Sequence, residues 1–320
     1  MGATNRLQYQ KGLPLTAFLR RYGTDDSCFD ALERQRWPNG FVCPRCGCAE
    51  HRRFHRGGQR MFACAGCRRQ TSVIVGTILQ GTKLRLTKWF LAIYLLTQTK
   101  TNLASLELMR HLHVSYNAAW RIKHKLMQLM ANVESSRQLH DLVEIDDAYL
   151  GGERNGGKAG RGSENKVPII AAVAKTMDGR PLRAIISPLS GFTKAAVAEW
   201  AQRHLSPNCE VYTDGLSCFR VLGELGYAHT IIQPGSGSRR DACRADGARW
   251  VNVFLSNVKR AIDGRYHAFA FRKYAKRYLA EATWRFNRRL GLADIARDFI
   301  ESLTSMAPCP ERELRRRVAA

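Results

Sequence analysis

The chain has 320 residues, enough for about two domains with smaller modules attached. Hydrophobic residues make up 45% and charged residues 24%, which excludes a wholly disordered chain. Lys and Arg number 51 against 27 Asp and Glu, a net charge of +24. A chain this basic calls for a polyanionic partner, nucleic acid by default.

The longest apolar run, Trp89 to Leu96, is eight residues. A spanning helix needs about 20, so no membrane partner is expected. The N-terminal MGATNRLQYQKG lacks the apolar stretch of a secretory leader. The expected location is therefore the cytoplasm, a reducing compartment where clustered cysteines bind metal.

Residues 1–40 read as a helical segment. Phe18, Leu19 and Tyr22 stand at helical spacing, Thr24-Asp25-Asp26 caps a helix over Ser27 to Arg36, and Trp37-Pro38-Asn39-Gly40 ends it. Residues 41–75 place Cys43, Cys46, Cys64 and Cys67 in a C-x2-C-x17-C-x2-C arrangement. Each CxxC turn aims two thiolates at one ion, and the intervening hairpin brings the second pair round, as in a zinc ribbon. Four thiolates leave no open position, so the zinc is structural, and the module is too short to build a core without it. Cys48 has the wrong spacing and reads as a spare thiol. Seven Arg and one Glu lie between Cys43 and Ser72, which points to phosphate contact as well.

Residues 83–132 are helical by their 3–4 apolar spacing. A helix from Leu103 to Leu112, a turn at His113-Val114 and a second helix capped by Ser115 resemble a helix-turn-helix. Its second helix presents Asn117, Arg121, Lys123 and Lys125 to DNA; a plain packing hairpin is the alternative. From Leu142 strand-like runs alternate with helix-like segments at 194–204 and 216–225. Asp146 follows one apolar strand run, and Asp214, followed by Gly215, ends another. Carboxylates at strand ends converge over a sheet edge, where magnesium is held by one or two of them plus substrate phosphates. In WVNVFLSNVKRAIDGRYHAF, Asn252, Ser256 and Lys259 share one helix face. The Gly-rich basic stretch 151–163, carrying Arg154, Lys158 and Arg161, reads as a loop between two strands, lying over DNA near Asp146. Between Phe269 and Arg289 there are seven Lys/Arg and six aromatics. The aromatics read as core and the basic residues as a phosphate track.

Taken together, CPRCG with CAGCRRQTSVIVGT, the AAWRIKHKL helix, VEIDDAYLGG, YTDG, VNVFLSNVKRAIDGRYHAF and YLAEATWRFNRR resemble the IS1595-type (ISXO2-like) transposases of bacterial insertion sequences. The resemblance runs from about residue 43 to residue 289. It implies an α+β multi-module chain: an N-terminal zinc ribbon, a helix-turn-helix-like segment, and an RNase H-like α/β catalytic domain with a mixed sheet over 142–305, followed by a basic tail over 306–320. It places Asp146 and Asp214 as the first two members of a DD(E/N) triad. Asn252 takes the third place, where many relatives carry Glu, and Lys259 matches the Lys of an Asn-bearing subgroup. It implies two magnesium or manganese ions on Asp146, Asp214 and Asn252. The implied reaction cleaves phosphodiesters at the terminal inverted repeats and transfers the freed 3′-OH to target DNA, with the chain acting as a homo-oligomer on DNA. Glu281 is a rival third ligand. The competing functions are a zinc-ribbon/helix-turn-helix regulator and a catalytically inactive transposase copy.

Overall fold

A computed structural model describes residues 10–99, 101–152, 163, 165–232, 248–266 and 269–316. The chain divides into two compact units. The first holds residues up to Leu129 together with Leu290–Arg315, and the second holds Met130–Arg289.

In the first unit, α1 (Leu15–Tyr22) buries Phe18 and Tyr22 and leaves Leu19 exposed. Helix α2 (Asp25–Arg36) starts at a capping box: the Thr24 hydroxyl accepts from the Ser27 amide, and the Thr24 amide donates to the Ser27 hydroxyl. The ribbon is a three-stranded antiparallel sheet of β1 (His51–Arg56), β2 (Gln59–Cys64) and β3 (Gln70–Ser72), in that order. Gly57 and Gly58 turn β1 into β2, both with positive φ (56° and 75°), the backbone a tight two-residue hairpin needs. The ribbon's core is small and aromatic. Phe62 lies fully buried under Trp37 and Phe41, with ring centroids 5.0 and 5.2 Å away.

One side chain fastens this sheet to α2. Arg60, almost fully buried, donates to Asp26 (3.1 Å), Asp30 and Glu33 (3.1 Å), which follow one another along one face of the helix. The planar guanidinium fork reaches three acceptors at once, which an ammonium on a flexible stem does not reproduce.

Helices α3 (Leu86–Gln98), α4 (Ser105–Leu112) and α5 (Tyr116–Ser135) follow. His113 ends α4 in the left-handed region (φ 49°), and the Ser115 hydroxyl accepts from the Ala118 amide at the start of α5. The division between the units falls inside α5.

The second unit is built on a five-stranded mixed sheet of β4 (Leu142–Leu150), β5 (Val167–Lys175), β6 (Pro181–Pro188), β7 (Glu210–Thr213) and β8 (Ala228–Ile231), in the order β6-β5-β4-β7-β8. The first three strands are antiparallel neighbours; β7 runs parallel to β4, and β8 parallel to β7. This is the mixed sheet of an RNase H-like fold. Alternate residues of β4 serve opposite faces. Val143 and Ile145 join a core with α6 (Lys194–His204) and the turn around α7 (Val221–Glu224). Ala148 and Leu150 join a second core with α8 (Arg249–Asp263) and α9 (Phe271–Asn287). Helix α8 buries Val251, Phe254, Leu255, Val258 and Ile262, one amphipathic stripe.

The last segment departs from the span expected for the catalytic domain. Helix α10 (Ile295–Ser302) and the short α11 (Glu311–Leu314) belong to the first unit, not to a domain ending at 305. The cause is a buried apolar stripe, Ile295, Ala296, Phe299, Ile300 and Leu303, that packs with α3, and the Gln98 amide nitrogen donates to the Leu292 carbonyl at 2.9 Å.

Arg60→Ala is expected to destabilise the first unit by about 1–3 kcal/mol, the lower part of the range applying because Asp26 and Asp30 are well exposed. Arg60→Lys should recover less than half of that loss. Calorimetric unfolding of the three proteins measures both, and an unchanged midpoint for Arg60→Ala contradicts the fastening role.

Candidate active site and metal centre

The zinc ligands are set by two CxxC turns of the same shape. The Gly47 amide donates back to the Cys43 carbonyl (2.9 Å) and the Arg68 amide to the Cys64 carbonyl (3.1 Å). Gly47 and Arg68 both have positive φ (73° and 55°). The sulfurs of Cys43, Cys46, Cys64 and Cys67 all lie within 4.8 Å of one another. Cys43 Sγ and Cys67 Sγ are 3.6 Å apart, Cys46 Sγ and Cys64 Sγ 3.5 Å. A tetrahedron with metal–sulfur bonds of about 2.3 Å has edges of about 3.8 Å, so the set fits one zinc ion. Backbone amides of Arg45 and Cys46 lower the Cys43 thiol, while the Cys67 and Cys64 sulfurs push Cys46 up, a crowding of thiolates that one divalent ion would relieve. Cys48 stands outside the cluster, its sulfur turned to the Glu50 carbonyl.

The acidic site follows from strand register. Leu142 pairs with Glu210 and Glu144 with Tyr212 in the parallel β4–β7 ladder. Two residues further along each chain stand Asp146 and Asp214. Ligand oxygens of Asp146, Asp147 and Asp214 come within 4.8 Å of one another. Gly215 is required behind Asp214: its φ is +84°, and a Cβ there would meet Ile231 Cγ2 at 2.7 Å. The Leu216 amide donates to Asp214 Oδ1 (3.1 Å) and the Asp147 amide to Asp146 Oδ1 (2.8 Å), which orients both carboxylates.

Burial pushes the Asp146 carboxyl up to about 7; the Asp214 and Asp147 charges push the same way, while the Asp147 amide and Lys259 pull it down. Three hard oxygen donors repelling one another suit a divalent cation, whose charge relieves the repulsion. Lys259, on α8, is near enough for its charge to act on Asp146. Asn252 lies in the first turn of α8, half-buried, with its Nδ2 donating to the Ala248 carbonyl (2.9 Å).

Several expectations change. Lys123 is fully buried, and its ammonium donates to the Leu103 carbonyl at 2.6 Å. Lys125 donates to the Ile78 carbonyl at 2.8 Å, over the ring of Trp89. Both lysines are turned inward by carbonyl acceptors; Lys123, fully buried, is not placed to meet DNA, and Lys125 is half-buried. Arg121 remains on the surface, 3.5 Å from Glu311. Arg154, Lys158 and Arg161 lie outside the described residues. The expected basic track after Phe269 is partly structural as well. Arg288 lies over the Trp284 ring and pairs with Glu134 (2.7 Å), and Arg289 donates to the Pro181 and Leu182 carbonyls. Glu281, the rival ligand, is fully buried 3.5 Å from Arg285 and outside the acidic group. Tyr149, Tyr212 and Tyr266 are used in packing or on Glu210. Two residues escaped the sequence reading. Asp147 was signalled only by its adjacency to Asp146. Glu144 lies two residues before Asp146 and therefore on the same strand face.

Residues 138–287 match the ISXO2-like transposase domain, and residues 23–70 match the transposase zinc-ribbon domain, which includes α2. The chain carries both modules of an IS1595-type transposase. A relative from Halobacterium salinarum, described as an uncharacterized protein in transposable element ISH50, is 25% identical over 224 residues. That alignment covers 64% of this chain and 72% of the relative. The transposase domain implies a DNA-modifying enzyme, and both modules imply DNA as partner. Among the described residues no helix is long and apolar enough to cross a membrane.

Cys64→Ser is expected to lower the zinc content of the purified chain and unfold the ribbon, read by metal analysis and limited proteolysis; zinc-free native protein with an intact ribbon contradicts the metal centre. The Asp146 shift gives a pH prediction. The folded chain holds this proton more tightly than the unfolded chain, so the contribution of Asp146 to stability falls as pH rises from about 4 to about 7. At about 1.4 kcal/mol per pH unit across that span the loss is on the order of 4 kcal/mol. Asp146→Asn should remove that slope from thermal unfolding in magnesium-free buffer, and identical pH profiles for the two proteins would contradict the shift.

Proposed function

We propose that the chain is a DNA transposase of a bacterial insertion sequence. It cleaves phosphodiester bonds at the terminal inverted repeats of its element and joins the freed 3′-OH to target DNA. The observation that carries this reading is the parallel β4–β7 register, which brings Asp146 and Asp147, mid-strand in β4 rather than at its end, together with Asp214 just past the end of β7. Asp146, Asp214 and Asn252 are the proposed ligands for two magnesium or manganese ions, with Asp147 beside them. Such ions, when bound, lower the pKa of a water and clamp the entering and leaving oxygens of an in-line displacement.

The chain's own residues supply orientation and charge. Asp146 and Asp214 are held by backbone amides, and Lys259 sets a positive charge beside the acids, where it can meet the scissile phosphate. Exposed Arg45, Arg52, Arg56, Arg68 and Arg69 surround the ribbon and, with Arg121, make its proposed phosphate contacts. We infer that the chain works as a homo-oligomer on DNA, beside the nucleoid.

The test is Mg²⁺-dependent cleavage and strand joining on a duplex carrying the element's ends, run beside a gel-shift assay. Asp214→Asn should reduce both reactions to background and leave binding intact. Asn252→Ala should reduce activity severely, Asn252→Asp should retain part of it, and Glu281→Gln should be the milder change. If Asp214→Asn cleaves like wild type, the site is misassigned. If wild type binds but cleaves no end, the regulator or the inactive copy takes its place.

A further inference from the structure

Helix α8 carries Asn252 and Lys259 but has no cap of its own. Its N-cap residue is Ala248, which offers no side-chain acceptor. The first-turn amides need one, because they have no partner inside the helix. They find it 106 and 107 residues away in sequence: Glu144 Oε2 accepts from the Trp250 amide at 2.6 Å and from the Val251 amide at 3.0 Å. Glu144 is 1% exposed, and Lys175, 5% exposed, supplies the countercharge 3.3 Å from Oε1. The Trp250 indole also donates to the Gly179 carbonyl in the β5–β6 turn (2.7 Å), so the helix start is held at two points.

Strand alternation makes this more than a stabilising contact. Glu144 and Asp146 project from the same face of β4, and Asn252 follows Val251 directly. The carboxylate therefore fixes the start of α8 against the strand that carries the first acid. We propose that Glu144, with Lys175 as its counterion, is a positioning residue that sets Asn252 at the Asp146–Asp214 site. This rests on the proposed metal site. A carboxylate at a helix N-terminus also meets the positive end of the helix dipole, which favours this seat over a neutral side chain. Burying a carboxylate and an ammonium for stability alone is a poor device, since well-packed apolar residues often do as well. A fixed helix start is what the ion pair adds.

The experiment compares full-length wild type, Glu144→Ala, Glu144→Gln and Val258→Ala. The last loosens α8 from the sheet without touching the Glu144 contacts. Four readouts are taken: thermal midpoint, hydrogen exchange at the Trp250 and Val251 amides, Mn²⁺ binding by electron paramagnetic resonance, and Mn²⁺-dependent cleavage. Glu144→Ala should lose protection at the two amides and weaken Mn²⁺ binding by about tenfold or more, the usual range for a residue that orients a ligand. Val258→Ala, compared at an equal loss of thermal midpoint, should bind Mn²⁺ like wild type. Glu144→Gln keeps an acceptor oxygen and should restore protection and most of the binding. Equal Mn²⁺ binding in Glu144→Ala and Val258→Ala overturns the positioning role and leaves the proposed function standing. If wild type binds no Mn²⁺, or Asp146→Asn does not diminish binding, the metal site itself fails and the positioning role falls with it.

Discussion

The second unit depends on one pairing, the parallel alignment of β4 with β7. Nine residues of β4 pair with β5 on one side, but only Leu142, Val143 and Glu144 meet β7 on the other. Beyond that short ladder the two chains run on in step, and Asp146 and Asp214 follow. A slip of one residue would send Val143 and Ile145 out of their core and turn Asp146 to the opposite face. The hydrophobic alternation of β4 therefore fixes the chemistry and the packing together. The same alternation sets Glu144 beneath the start of α8.

Much of this was legible from local pattern. The paired cysteines, the Thr24 cap and Asp214 after the apolar run of β7 each depend on residues close in sequence, whereas Asp146 lies within β4 rather than after it. What escaped depends on distant ones. Lys123 and Lys125 sit on a helix whose exposed side the sequence does not mark, and the Leu103 and Ile78 carbonyls decide that both turn inward. Glu144 reads as an ordinary strand residue until α8 arrives more than 100 positions later. Asp147 should face away from Asp146 by strand alternation, yet a carboxylate oxygen of each lies within 4.8 Å of the other and of Asp214. Helix α10 looks like a continuation of the catalytic domain because nothing near residue 290 signals a return to α3.

The high positive charge is also less external than the composition suggests. Arg36 donates to the Ser72, Val73 and Val75 carbonyls, Arg60 holds three carboxylates, and Arg288 and Arg289 brace α9 against rings and carbonyls. Guanidinium groups suit this use because one planar fork satisfies several acceptors. Among the described residues the exposed basic side chains lie on the ribbon and along both units, Arg85, Arg121, Arg203 and Arg260 among them.

The return of residues 290–315 to the first unit makes that unit discontinuous, with the whole catalytic unit inserted into it. During synthesis the ribosome therefore releases every strand and helix of the catalytic unit before the segment that covers α3 exists. A chain ended by a stop codon near residue 289 would carry a complete acidic site and an N-terminal unit with the apolar face of α3 bare. Such a product would aggregate or be degraded rather than persist as a free nuclease. The order of the gene thus makes completion of translation a condition for a stable protein.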